Sequence, residues 1–372
     1  MDIKGFVRFT VRDVLGEQEV LARNTEYIRA GAQWLERATR IPGDGGVSAI
    51  YSLVTGWEHS YIETTGYILG TFFSLGNYFH KAKYRTLAIG MADFLLKNQL
   101  DNGAFSSGTP QSKIVPRIFN TGEAARGLLA CYKETKKQKY LDAAIRSADW
   151  LCSCQSSDGS WEHPEYMSTY HSYHSRTSHV LLTIWRETQN KEYLVAARKN
   201  LDWVLRQQGK NGWFNSCNFI YPKYPFTHAI SYTIDGLIES ADLLHKKRYL
   251  HAAEKCAHAL LTYYKKNRFM PATFDDRWES KDTYTCLTGN AQIVLNWFAM
   301  YKRTKNMQYL TAGRSLLDSV KQTVSLNKFD KNTYGAVPGA YPTYGGYSRW
   351  NFPNWATKFF IDACIQFERL YE

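Results

Sequence analysis

The chain has 372 residues, 44% hydrophobic and 22% charged, enough to bury a large core. No apolar run approaches the ~18 residues a membrane-spanning helix needs, so no integral membrane segment is expected. The net charge is +12, from 46 basic and 34 acidic residues, but no nucleic-acid motif accompanies it, and no nucleic-acid partner is expected. Seven thinly spread cysteines argue against a disulfide framework. Together with a charged start that lacks an apolar signal segment, they predict a cytoplasmic protein. Tyr, Phe and Trp reach 15%, which suggests an aromatic-lined surface.

Residues 1–24 precede the first repeat and predict an N-terminal arm or extra helix. From there to residue 372 the chain reads as one domain built on a period. A Tyr opens an amphipathic helix at Tyr27, Tyr84, Tyr140, Tyr193, Tyr249 and Tyr309, at intervals of 57, 56, 53, 56 and 60 residues. In the Tyr140 helix an apolar stripe (Leu141, Ala144, Ile145, Ala148, Leu151) faces away from Asp142, Arg146 and Asp149, so one side is wet. Each interval holds a second helix that is apolar or small almost all round, as from Ala124 to Tyr132, and therefore buried on most sides. Six half-wet helices alternating with six buried ones predict an all-α (α/α)6 barrel.

The links from buried to half-wet helices are short (KKQK before Tyr140, QNKE before Tyr193). The return connections, roughly 99–117, 153–174, 208–228, 265–286 and 324–351, are long and must emerge on one rim. Long loops in a compact fold usually carry function. These hold Trp161, His171, His174, Trp213, Tyr221, His228, Trp278, Arg349 and Trp350, and an aromatic-walled pocket is expected there. Lysines such as Lys81, Lys136, Lys246 and Lys305 fall on the opposite rim, either as solvated surface or as a basic face for an acidic partner. That leaves room for peripheral contact with biosynthetic machinery.

Aligned by register, Glu63 and Asn120 match on neighbouring buried helices, with Glu123, Arg176, Tyr232 and Gln292 about one turn deeper. Polar groups at such depths must be paired or face a ligand; the ligand-facing reading is favoured over a hydrogen-bonded plug. Glycoside hydrolysis needs two carboxylates, and Glu63 with Glu123 is the leading pair, ahead of Glu162, Asp275 and Asp276. The run YHSYHSR places His171, His174 and Arg176 beside a helix start, where with Tyr232 they suit a uronate lyase or C5-epimerase. Trp161, Trp213, Trp278 and Trp350 are expected to stack on sugars, with Asn120, His171, Arg176, His228, Gln292 and Arg349 completing the binding set. Cys217, His228 and Cys286 raise a zinc site as a minor alternative, but their spacing is not metal-like and no metal or other cofactor is expected.

The run QSSDGSW, Gln155 to Trp161, resembles the QxxDGxW repeats of terpene cyclases and related toroids, and reads as a staple between helix and loop. The acidic motifs of carbocation chemistry are missing. Lanthionine-cyclase toroids share the ring, but their Cys-His neighbour pair is missing too. Residues 25–372 resemble six-hairpin toroids of the carbohydrate-active kind. Stretches such as ETTGYILGTF, NTGEAARGLLACYKET and VPGAYPTYGGYSRWNFPNWATKFF resemble a bacterial family linked to exopolysaccharide biosynthesis. That resemblance implies a glycan context without assigning catalytic residues. The leading expectation is an enzyme of surface-polysaccharide biosynthesis acting on an oligo- or polysaccharide, with a non-catalytic glycan-binding protein as the rival.

Overall fold

The computed structural model describes residues 2–219 and 223–370. Six inner helices, α3 (Ile62–Phe79), α5 (Ile118–Thr135), α7 (Ser175–Thr188), α9 (Thr227–Leu244), α11 (Leu287–Thr304) and α13 (Asn354–Glu368), form a ring. Each packs on the next, and α13 packs on α3 to close it. Around them stand α4 (Ala82–Asn98), α6 (Gln138–Ser153), α8 (Lys191–Arg206), α10 (Lys247–Asn267), α12 (Met307–Lys321) and α2 (Asn24–Arg40), the last packed on α13. This is the (α/α)6 barrel expected from the repeat. A further helix, α1 (Ile3–Val14), lies at the loop rim with Phe9 buried edge-on against Phe352.

For three of the six recurrent tyrosines the hydroxyl shows what the position does. Tyr140, Tyr193 and Tyr249 each donate to an aspartate on the preceding outer helix: Asp93 at 2.9 Å, Asp149 at 2.5 Å and Asp202 at 2.8 Å. In these three repeats the Tyr is a latch between successive outer helices. A second latch is made by glutamine amides at the ends of α4, α6 and α8. Gln99, Gln155 and Gln208 donate to the carbonyls of Ala143, Ala196 and Ala252 on the following outer helix, at 2.8, 2.9 and 2.8 Å. Trp161 completes the staple at Gln155, its indole N–H donating to the Leu151 carbonyl at 2.8 Å.

Inner helices end on a left-handed residue (His80, Lys136, Gln189, His245, Lys305), which turns the chain into a two-residue link before the next outer helix. At the other rim the long connections pair with one another. Strands β1 (Ile50–Ser52), β2 (Gly56–Trp57) and β5 (Asn351–Pro353) form a small antiparallel sheet in the order β2-β1-β5, and β3 (Thr285–Cys286) pairs with β4 (Ala340–Tyr341). These fragments depart from a purely helical reading because the long loops exchange backbone hydrogen bonds that would otherwise be buried unpaired. Among the described residues no helix is long and apolar enough to cross a membrane.

The Gln155 latch depends on a glycine beside it. Gly159 has φ +94°, and a Cβ there would sit 2.4 Å from the Lys199 carbonyl oxygen on α8. Gly159→Ala therefore combines left-handed strain with a backbone clash. It should cost about 2–4 kcal/mol in urea unfolding, whereas Gly70→Ala, with open space around it, should be neutral or stabilising.

Candidate active site

Arg176, in the first turn of α7, is buried inside the ring. Its guanidinium grips Glu123 of α5 with two bonds, at 2.9 and 2.7 Å, reaches Asp235 of α9, and lies 4.7 Å from the centre of the Tyr232 ring. Gly236 makes room, since a Cβ on it would stand 2.3 Å from the Arg176 backbone nitrogen. Burial pushes the Glu123 carboxyl up, but Arg176 and then Arg126 outweigh it and hold Glu123 below the usual carboxylate range. Glu123 and Arg176 are thus a structural tie between helices, not a free acid and a free sugar-binding cation.

On the loop side of this tie lies a second polar group set. Glu63, at the start of α3, is 9% exposed and accepts from the Asn120 side-chain amide at 3.0 Å. The Tyr166 hydroxyl donates to the Asn120 oxygen at 2.9 Å, and the Tyr166 N–H donates to Glu165 at 2.7 Å. Glu165 also accepts from the Phe119 N–H at 2.9 Å and pairs with His174 Nε2 at 3.0 Å. The two carboxyls are driven apart. Burial, then the charges of Glu123 and Glu165, raise Glu63 to about 8. Burial also raises Glu165, but the His174 hydrogen bond and charge and the Tyr166 N–H prevail, and it falls below its ordinary range. A protonated and an ionised carboxyl in one cluster is the pattern of acid–base sites.

Histidines and aromatic rings fill the rest. His228 meets Gln292 Oε1 through Nδ1 at 2.7 Å, so Nδ1 carries the proton and Nε2 keeps its lone pair. Burial lowers His228 to about 4 and, with the neighbouring charge of His174, lowers His171 to about 4. Both are neutral bases at pH 7. The Phe219 ring stacks on Tyr173 at 4.4 Å and stands 5.7 Å from His228, 6.0 Å from Tyr166 and 6.3 Å from Tyr232. It occupies the middle of the cluster.

The expected open, tryptophan-walled pocket is not what the rim presents. Trp161 is fully buried and edge-on to His174 at 5.6 Å. Trp213 is buried edge-on to Trp278, whose indole N–H donates to the Asn211 carbonyl, and Trp350 packs on Phe6 at 4.4 Å. These rings hold the long loops together, because loops of that length need a core of their own. Trp213 also borders a cleft of about 390 Å³ with Tyr224 and the run Asp275–Arg277. There Asp275 is bound to the N–H groups of Arg277 and Glu279 and ion-paired to Arg277, a loop brace. Arg349 is exposed on this rim. Cys217 lies against Thr233, and Cys286 caps the Gly289 N–H, so with His228 on Gln292 the three point at separate partners. Among the described residues no group of three or more His, Cys, Asp or Glu is placed to hold a metal ion. Tyr221 lies outside the described residues.

Glu162 is exposed, whereas Glu165, three residues on, is the buried carboxylate. The run HPEYMSTYHSYH holds it nine residues before His174, but nothing in helix register points to it. Phe219 likewise lies outside any helix, whereas Asp235, three residues after Tyr232 on α9, is within reach of the register argument and is not picked out by it.

Residues 111–226 match the family described as Glycosyl Hydrolase Family 88. That segment covers α5 to α8 and two of the long loops, and so carries Glu123, Glu165, His171, His174, Arg176 and Phe219. No curated protein matches the sequence. Among solved structures, the unsaturated glucuronyl hydrolase from Bacillus sp. GL1 superposes with a TM-score of 0.75 at 14% identity, covering 93% of this chain and 97% of that one. Cellobiose 2-epimerase from Bacillus thermoamylovorans B4167 gives 0.71 at 13% identity over 93% and 100%. A D-mannose isomerase gives 0.72 at 12% identity over 95% and 100%. The fold is the one these sugar enzymes share, and with the segment match it supports a carbohydrate-processing enzyme.

The Glu63 carboxyl has a testable sign. Its value of about 8 in the fold lies above the ordinary 4.5. Stability from its bound proton is therefore full below pH ~4.5 and is lost as pH rises through ~8. Glu63→Gln removes that dependence, so the melting temperature of the variant relative to the parent should climb between pH ~5 and ~9. A constant difference would show that Glu63 titrates normally.

Proposed function

We propose that the chain is a glycoside hydrolase-like enzyme whose chemistry takes place at the loop rim, with Glu63 as the proton donor. The observation that carries this is Glu63 itself, buried at the loop rim on the Asn120 amide and held protonated to about 8, in a cluster whose Tyr166 and Phe219 lead on to a neutral imidazole, His228, with its Nδ1 fixed by Gln292. Glu63 would protonate the leaving oxygen of a glycosidic bond, or the double bond of an unsaturated uronyl ring, and His228 Nε2 would take a proton from the attacking water. Asn120 and Tyr166 orient Glu63, and Glu165 with His174 anchors that chain of hydrogen bonds. The segment match and the glucuronyl hydrolase neighbours favour an unsaturated uronyl oligosaccharide as substrate. A role in surface-polysaccharide biosynthesis, and a cytoplasmic location, rest on the sequence reading alone.

A second reading, sugar epimerisation, is favoured by the neutral imidazoles of His171 and His228 and by the epimerase and isomerase neighbours. There one imidazole would remove a proton next to a ring-opened carbonyl and the conjugate acid of a second group would deliver one to the opposite face, the first imidazole then giving up its proton to solvent. Tyr232 stands beside His228 at 4.6 Å between ring centres.

Purified protein given an unsaturated glucuronyl disaccharide should bleach the ultraviolet absorbance of the ring double bond. Glu63→Gln should lower kcat by ~10²–10⁴, and the parent's kcat should fall as pH rises through about 8. Undiminished turnover by Glu63→Gln would remove Glu63 from the reaction. Conversion of cellobiose to its 2-epimer, with the double bond untouched, would install the second reading.

A further inference from the structure

A cavity of about 510 Å³ opens not among the long loops but on the short-link face. Its floor is Arg176 and its walls run from the second turn of the other inner helices toward their C-terminal ends, so the Arg176–Glu123 tie separates it from Glu63. Most of its charges are matched within the wall: Arg126 with Glu239 at 2.9 Å, Lys358 with Asp362 at 2.9 Å, and Arg176 with Asp235. Two cations at the mouth, Lys302 on α11 and Arg369 at the end of α13, are exposed and have no ion-pair partner among the described residues.

We infer that this cavity is a second ligand site, built for a small anionic sugar. A space of this size holds one or two sugar rings, within the ~300–1,000 Å³ of ordinary ligand pockets. The wall pairs suit hydroxyls, since the carboxylates of Asp235, Glu239 and Asp362 accept O–H donors while their cations keep the remaining lone pairs satisfied. Lys302 and Arg369 are left to take a carboxylate or phosphate by charge-assisted bonds. The six inner helices turn their carbonyl ends toward this face, each worth roughly half a negative charge, which alone would repel an anion. The two unmatched cations, with link lysines such as Lys81, Lys136, Lys246 and Lys305, reverse that field. A nucleotide base finds no platform, because Lys358 Nζ already sits 3.9 Å over the Phe359 ring and 5.5 Å from that of Tyr67. The site stands apart from the proposed chemistry at the loop rim and does not depend on it.

The test is calorimetric titration of the full chain with glucuronate, glucose 6-phosphate and glucose. At least one of the two anions should bind one to one, with glucose much weaker, and the better anion tells whether the carboxylate or the phosphate is the natural group. Lys302→Ala/Arg369→Ala should weaken that binding by roughly tenfold or more. Both side chains are exposed, so the melting temperature should hold. Glu63→Gln should bind as the parent does. No binding of either anion, or binding lost in Glu63→Gln yet kept in the double variant, would overturn the inference.

Discussion

A guanidinium taken out of water must be paired on all sides or it unfolds its surroundings, and Arg176 imposes that demand at the centre of the ring. Its partners come from two other helices: Glu123 from α5 below and Asp235 from α9 beyond, with Tyr232 under its face. Three consecutive inner helices are thereby fixed in rotation and height. Removing any single partner would leave a buried charge alone, a loss of about 3–5 kcal/mol in comparable pairs. The latches of the outer ring (tyrosine to aspartate, glutamine to carbonyl) are weaker, exposed at their edges and repeated. They set spacing, while Arg176 sets depth.

The same tie divides the interior into two compartments of different chemistry. Below it, cations and carboxylates alternate around open space. Above it, Glu63 is left without a cation of its own, since Arg176 is spent on Glu123 and Asp235, and Arg126 on Glu239 with Glu123. An acid needs such isolation to keep its proton near neutral pH. Glu165 shows the opposite treatment within one hydrogen-bond chain of it, with His174 and two backbone N–H groups stabilising its charge. The division of labour between the two carboxyls follows from which cations the fold supplies to each.

Much of the barrel was legible because its signals are local and periodic: the recurring Tyr, the one-sided stripe of the outer helices, the all-round apolarity of the inner ones, and the asymmetry of link lengths. Register along the inner helices also set Glu63 beside Asn120, and Glu123 beside Arg176 and Tyr232, as their contacts show, whereas Gln292 meets His228 of the loop-side cluster. It could not say which of them pair, because pairing depends on rotation between helices, and so Glu123 read as a free acid. The loops were less legible still. Trp161, Trp213, Trp278 and Trp350 looked like a sugar platform but serve as packing, since a sequence does not reveal which rings a loop folds over. Glu165 and Phe219 reach the site through irregular backbone, where no period operates. The cavity on the short-link face was hidden for a related reason: its lining is spread over inner-helix residues whose inward direction only the closed ring defines.

The central claim is that Glu63 is an uncharged acid at neutral pH because the fold gives the nearby cations to other carboxylates. Infrared difference titration of the parent against Glu63→Gln reads this directly, through the C=O stretch of a protonated carboxyl. The account predicts a band present at pH 7 in the parent alone and lost with a midpoint of about 8. A midpoint in the ordinary carboxylate range, near 4.5, would contradict it.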